Sequence, residues 1–595
     1  MPIIFLLCAL SLAVWSTTTD ELIAHAHSLN LSQSRYWHLL MHAPYHESEI
    51  DDDDFFLALD GKSDLSRELD TTIQRLNDDT NRSNESAFCR FPARRAWLEK
   101  ELNISFGEGG CFEYNTLLEK MDPQKVTLVF PSAHINSPAS MFGHTFLRID
   151  SSMESKLMSY AINYAAQTDE TNGVSFAYKG LFGGYSGFYS ILPYYEKLKE
   201  YRDSESRDVW EYDLNLTHDE VMAMVRHIWE LQRISSWYYF LDENCSYNML
   251  WLAEVARESV HLRDHFTYYV IPPETVRAFE EEGLVGEKHY RASKRTKLLA
   301  YEQKLNPQAI RTVKSLAQGE RVISDDNLST SQQRYALEAA AELVEYDYIQ
   351  GKLTKEAYAL RYHNVLRQRA ALGDGEPLII DSKSNPDSAH HAARFALAKG
   401  WSANGSPYLL GWRPALQDLS EDDTGQLSGA QIEFLDTLIG IDNSTVHLEK
   451  LTLLSLSSIT PVSQFFKPFS WRMKGGWDRE YGGDRLSFVM RIGAGSAIGN
   501  DKWYGYVLSE PEVRVGMKGD LGIGFSAGGA INWENRMKTF IEMGEIFYVD
   551  VPNKTRGILS HQYQVNPSVS FFGTIEINRQ AINNDRMRGG VNFYF

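Results

Sequence analysis

The last third of the chain alternates. Segments such as VHLEKLTLLSLSSI, PFSWRMKGGW, RLSFVMRIGAG, DLGIGFSAGGAINW and NPSVSFFGTIEINR interleave apolar with small or polar residues over membrane-strand lengths, with Gly, Tyr or Trp frequent near their ends. Extended backbone in hydrocarbon satisfies its N–H and C=O groups only when its sheet closes on itself. The stretch from about Ala392 therefore predicts an antiparallel β-barrel of about ten to twelve strands. A soluble sandwich or barrel would carry the same alternation. The chain closes on RGGVNFYF, in which Val591, Phe593 and Phe595 share one face.

That ending resembles the terminal signature read by the outer-membrane assembly machinery. The other end agrees with export. MPIIFLLCALSLAVWS is a short apolar run followed by TTTDE, which reads as a signal peptide over residues 1–16, although no Lys or Arg precedes its apolar core. Removing it removes Cys8. Of four cysteines, three then remain in an oxidising compartment. Cys89 and Cys111 flank one helix-like stretch and a glycine turn, so a local disulfide between them would contribute about 3 kcal/mol through loop entropy. Cys245 is left without a partner, which calls for a chemical reason to keep it.

At 595 residues the chain needs several domains, and its net charge of −20 without a basic tract excludes nucleic acid as a partner. Helical spacing in SRYWHLLMH and FLALDGKSDLSRELDTTIQRL marks residues 17–115 as a helical lead-in domain, whose acid run ESEIDDDD reads as a solvated loop without calcium-ligand spacing. Residues 116–280 mix β-rich segments with the Thr-capped helix THDEVMAMVRHIWELQRI. Residues 281–385 read as a helical connector and 386–595 as the barrel. The fold class is thus multidomain α+β. His390 and His391, in the linker, lack a third ligand at metal spacing and read as ordinary linker histidines, and no cofactor is called for.

Cys245 sits in YYFLDENCSYNML. Asp242, Glu243 and Asn244 are cap-type or acidic residues, so Cys245 falls in a first helical turn, where free backbone N–H groups favour a thiolate. An inert buried cysteine has the same surroundings. A nucleophilic thiol needs a base, and the upstream candidates are His134 and His144 in PSAHINSPASMFGHTFLRID. His144 is preferred because it enters an alternating strand beside a glycine, and Asn163 in YAINYAA, on the next strand, could orient it. A hydrogen-bonded histidine at a strand end is the plainer reading of His144 taken alone.

SPASMFGHTFLRID, SYAINYAA, GGYSGFYSILPYYEKLKEY, RDVWEY and ENCSYNMLWL together resemble the N-terminal periplasmic domain of Lnb-type lipoprotein N-acyltransferases. The resemblance covers roughly Leu117 to Val276 and implies a circularly permuted papain-like (NlpC-like) fold with the histidine strand before the cysteine helix. It implies Cys245 as nucleophile and His144 as general base, with Asn163 a weaker transfer. Members of that family carry membrane helices farther along the chain, where this sequence has alternating strands, so the substrate does not transfer with the fold.

Three functions follow as expectations. The first is a cysteine acyltransferase or lipid hydrolase at the periplasmic face of the outer membrane, acting on a phospholipid or lipoprotein acyl group through a Cys245 thioester. The second is a cell-wall cysteine peptidase or amidase using the same residues, and the third a non-catalytic envelope scaffold.

Overall fold

The structure is a computed structural model, and it describes all residues except 1–17, 79–81, 134–140, 142, 169, 171–172, 321–327, 404, 443–444, 480–485, 517–518, 535 and 581–582. The expected signal peptide, with Cys8, and His134 lie outside the described residues.

The lead-in is helical, with Thr19–Ser28, Arg35–Leu40, Leu65–Asp78 and Pro92–Glu101 as its main helices. The first opens on a capping box in which Thr18 and Glu21 each satisfy the other's backbone N–H. Cys89 and Cys111 are disulfide-bonded, their Cα atoms 5.0 Å apart. Trp37, Leu69 and Leu98 share one buried cluster with Leu128, Ile149 and Trp251 of the following domain. The two regions therefore form a single core.

That second region is built on a seven-stranded antiparallel sheet: β1 (Lys125–Pro131), β2 (Phe146–Asp150), β3 (Tyr160–Ala166), β4 (Tyr185–Pro193), β5 (Val209–Leu214), β6 (Ser235–Tyr238) and β7 (Val285–Arg291), in the order β6-β4-β3-β2-β1-β5-β7. Strand β2 is buried at every position. Its one cation, Arg148, reaches Asp150 at 2.6 Å and Glu211 of β5 at 2.8 Å, which fixes the strand internally. The acid run departs from the solvated loop its composition predicts. Asp52 accepts the amide of Ser235 at 3.1 Å and Asp51 that of Trp237 at 2.8 Å, so two carboxylates cap the free edge of β6.

Helices Lys294–Lys304, Pro307–Gln318, Thr330–Ile349 and Lys355–Ala371 form the connector around a small core that includes Val313, Leu337 and Ala340. The barrel comprises β8 (Arg394–Ser402), β9 (Tyr408–Arg413), the short β10 (Ala415–Gln417), β11 (Ala430–Asp442), β12 (Thr445–Ser458), β13 (Ser470–Asp478), β14 (Ser487–Gly499), β15 (Trp503–Val515), β16 (Gly519–Trp533), β17 (Met537–Tyr548), β18 (Lys554–Asn566), β19 (Val569–Arg579) and β20 (Arg586–Tyr594). Consecutive strands pair antiparallel, β20 pairs with β8, and β9 pairs with β11 as well as β8, closing a ring of twelve with β10 as a short extension.

Its polarity is inverted relative to the domain before it. Val507, Leu521, Ile523, Phe525, Ile541 and Met543 are exposed on the outside, whereas Arg472, Arg491, Glu510, Glu512 and Glu542 are buried within. Water cannot favour that outer wall; hydrocarbon can. The barrel is of the outer-membrane type, and both its first strand and its last residue meet at one end, where Ala393 and Phe595 exchange backbone hydrogen bonds.

Candidate functional site

Asn244 starts the cysteine helix, Cys245–Ala256, by accepting from the amides of Ser246 and Tyr247 at 2.9 and 3.2 Å. Its own amide donates to the carbonyl of Val270 at 2.7 Å, so the cap is held from both sides. Cys245 is thereby fixed in the first turn, as the residues before it predict, and is buried. It is the free cysteine among the described residues.

His144 stands at the entrance to β2 after Gly143, whose φ of +97° suits glycine and whose Cα faces the Phe130 ring so closely that a Cβ would lie 2.8 Å from it. Asn163, buried on the neighbouring β3, lies 2.6 Å from Nε2 of His144 through its Oδ1. An amide oxygen accepts, so Nε2 carries the proton and Nδ1 is left as the basic nitrogen. The structure thus brings together the three residues singled out from the sequence.

Burial pushes the Cys245 thiol up, but the His144 imidazole, its hydrogen bond to the sulfur, the Thr145 backbone and the Ser246 hydroxyl outweigh it and lower the thiol to about 7. Ser246 Oγ in turn donates to Thr145 Oγ1 at 3.0 Å, tying the cysteine helix to the histidine strand.

Tyr238, Tyr201, Thr145 and Ser246 complete the surroundings, and none was singled out beforehand as a site residue. The amide of Cys245 donates to the hydroxyl of buried Tyr238 at 3.4 Å. Burial, and then the charge of Cys245, push Tyr238 well above the ordinary phenol range, so this hydroxyl keeps its proton. Tyr201, on the wide helical turn Lys199–Ser204, covers the imidazole with ring centroids 5.6 Å apart. An aromatic in the strand before the candidate cysteine was the available signal for Tyr238; Tyr201 reaches the site only through tertiary folding. Among the described residues, one group of metal-binding side chains lies within 4.8 Å of one another: Asp213, Glu287 and His289, on β5 and β7 at the opposite edge of the sheet.

The site abuts the barrel. Gln431, Glu433, Ser455, Arg472 and Lys474 face the lumen, so by strand alternation Ile432, Leu454, Leu456 and Met473 face outward. Ile432 and Leu456 are nonetheless buried, in a cluster with Met141 and Ile271 against which Leu241 and Tyr269 also pack. Met141 leads into His144 and Leu241 into Cys245. Both approaches to the site therefore touch the outer wall of β11–β13. Farther round, Glu274 accepts the amide of Ala392 at 2.9 Å and Arg277 donates to the carbonyl of Ala389 at 2.7 Å, fastening the domain to the strand that opens the barrel.

With histidine strand, cysteine helix and sheet order in place, the family match is decisive: residues 113–282 match the model of the Lnb N-terminal periplasmic domain. This segment is an Lnb periplasmic domain. Three further models, each described as a domain of unknown function, match residues 29–101, 288–378 and 383–594. The barrel is similar to the NanC porin (8% identity, TM-score 0.24, 34% of this chain and 100% of that one). It is also similar to an outer membrane channel from Pseudomonas putida F1 (10%, 0.23, 37% and 100%) and to a loop-deletion mutant of OmpT, an outer membrane protein of Vibrio cholerae (7%, 0.19, 34% and 97%). Likenesses at this level carry no argument beyond the barrel already described. None of the curated proteins matches the chain. Among the described residues no helix is long and apolar enough to cross a membrane; the barrel crosses it, and the Lnb domain stands on the periplasmic side.

Proposed function

We propose that this Lnb domain is a thiol acyltransferase or acyl hydrolase working at the periplasmic face of the outer membrane. The observation that carries this reading is the constellation of a lowered buried thiol at a helix start, an imidazole acting on it, and an amide fixing that imidazole's tautomer. In the acylation step the Cys245 thiolate attacks an ester carbonyl and the C–S bond forms. The oxyanion is met by the Tyr238 hydroxyl, whose oxygen the Cys245 amide holds, and the His144 imidazolium protonates the departing alkoxide as the C–O bond breaks. The thioester then passes its acyl group to an amine or to water, with His144 taking the proton from the attacking group.

The apolar seat of both approach segments on the barrel wall favours an acyl substrate over a cell-wall peptide, which would need a polar groove. Intact mass of the purified protein after incubation with phospholipid vesicles tests the reading. A fatty-acyl adduct that is lost with hydroxylamine and absent from Cys245→Ala is the expected result; turnover of peptidoglycan fragments without any adduct would support the peptidase instead. The thiol itself is tested by alkylation with iodoacetamide against pH. The rate should be half-maximal near pH 7 and shift upward in His144→Gln, because the imidazole no longer favours the thiolate. An unshifted curve in both proteins sinks the pairing.

A further inference from the structure

The helix Gly173–Phe182, GVSFAYKGLF, has no part in the chemistry above, yet its surface is unusual. Its polar side chains are drawn to one side: Ser175 donates to Glu170 at 2.9 Å and Lys179 reaches the same carboxylate at 3.0 Å. Tyr178 and Phe182, one turn apart with ring centroids separated by 5.0 Å, pair on its surface and are 65% and 70% exposed. A paired, uncovered aromatic patch does not persist on a water-facing helix without a use.

Its position supplies the use. The carbonyl of Gly180 accepts the amide of Phe240 at 2.7 Å, and the Phe240 ring packs so closely that a Cβ on Gly180 would lie 2.2 Å from it. Phe240 adjoins Leu241, which packs against the apolar cluster that joins the domain to the barrel's outer wall. On the same seam Tyr268, 87% exposed, adjoins Tyr269, which packs against that cluster as well. The aromatic patch thus lies next to the seam at which the domain meets the barrel's outer wall.

We infer that the Lnb domain is itself seated in the periplasmic leaflet, with Tyr178, Phe182 and Tyr268 as an interfacial anchor that extends the barrel's membrane contact onto the domain. Tyrosine and phenylalanine on a short helix with a single lysine are the residue types that settle at the headgroup and acyl boundary. This seating stands apart from the acyl-transfer reading, since it requires no turnover.

The test uses the full chain in a Cys245→Ser background, with F182C, Y178C or Y268C carrying an environment-sensitive fluorophore. Each protein is reconstituted into phosphatidylethanolamine–phosphatidylglycerol vesicles containing nitroxide-labelled phospholipid. Quenching at the three positions should come within about twofold of that at V507C on the barrel's outer wall, and far above that at E356C on the connector. Quenching no greater than at Glu356, or cross-linking between copies through position 182, overturns the inference. The unsubstituted chain supplies a second reading that labelling cannot disturb. A phospholipid with a photoactivatable acyl chain should modify the peptide holding Tyr178 and Phe182; modification of barrel peptides alone counts against the anchor.

Discussion

Strand β16 of the barrel and strand β2 of the Lnb domain put polar and apolar groups to opposite uses. β16 alternates exposed and buried positions along most of its length, with its apolar side chains outward. β2 is buried throughout and admits charge only as paired ions, Arg148 with Asp150 and Glu211. The difference is one of solvent. In the barrel the wet side is the lumen, where a cavity of about 260 Å³ is bordered by Arg472, Lys474, Glu542, Arg556 and Arg588. At β2 no wet side exists, so a polar group there must be paired or reactive.

The sharpest break of this contrast is at the thiol. Cys245→Ser should abolish turnover, by about 10⁴-fold or more, while the domain keeps its stability because the change is nearly isosteric. Preserved fold with unchanged acyl transfer would return Cys245 to the class of inert core cysteines.

Next comes the dry ion pair of the lead-in. Arg94 and Glu68 meet at 2.7 Å with no exposure of either side chain. Glu68→Gln removes the carboxylate that bonds the buried guanidinium, leaving Glu230 as its remaining counter-charge, and should cost about 3 kcal/mol, read as a lower denaturant midpoint for the periplasmic region. Because the lead-in shares its core with the Lnb domain, alkylation of Cys245 should accelerate at the same denaturant concentration.

Asn163→Ala removes the acceptor that holds the His144 tautomer. Activity should fall about ten- to a hundredfold, with the larger share in kcat, as expected of a group acting through a general base. An effect confined to KM would assign Asn163 to substrate binding.

The smallest effect belongs to the lumen. Glu542 lies 2.7 Å from Arg472, a distance equal to that of the lead-in pair, but the pair borders the lumenal cavity and Glu510 meets the same guanidinium at 3.4 Å as a second counter-charge. Glu542→Gln should cost about 1 kcal/mol or less, seen as a small drop in the temperature at which the barrel loses its compact gel mobility. A loss matching that of Glu68→Gln would mean that the lumen is dry after all.

The two regions were unequally legible. Alternation in DLGIGFSAGGAINW announces a strand because each residue answers to one of two solvents, and β16 is where that pattern predicts. For the site, Asn244, His144 and Asn163 were readable because cap chemistry and strand periodicity are local. Tyr201 was not: it ends the stretch GGYSGFYSILPYYEKLKEY, in which nothing local places its ring over His144. The acid run was misjudged for a related reason. Composition says that Asp51 and Asp52 are hydrated, and only the pairing order of the sheet reveals two unmet amides on β6 for them to accept. Likewise His390 is buried beside Tyr594, ring centroids 4.5 Å apart, at the barrel's closing seam rather than on a free linker.

The seat of Met141 and Leu241 on β11–β13 also imposes an order of events. A chain whose barrel has not yet closed lacks the wall beside which both approaches rest, so the segments leading to thiol and imidazole are held by the domain's own contacts alone, among them that of Ser246 with Thr145. During refolding into vesicles, the fast-alkylating form of Cys245 should emerge in step with the heat-resistant barrel and not before it. The thiol would then be silent in transit and armed on arrival, its maturation signal being the membrane itself.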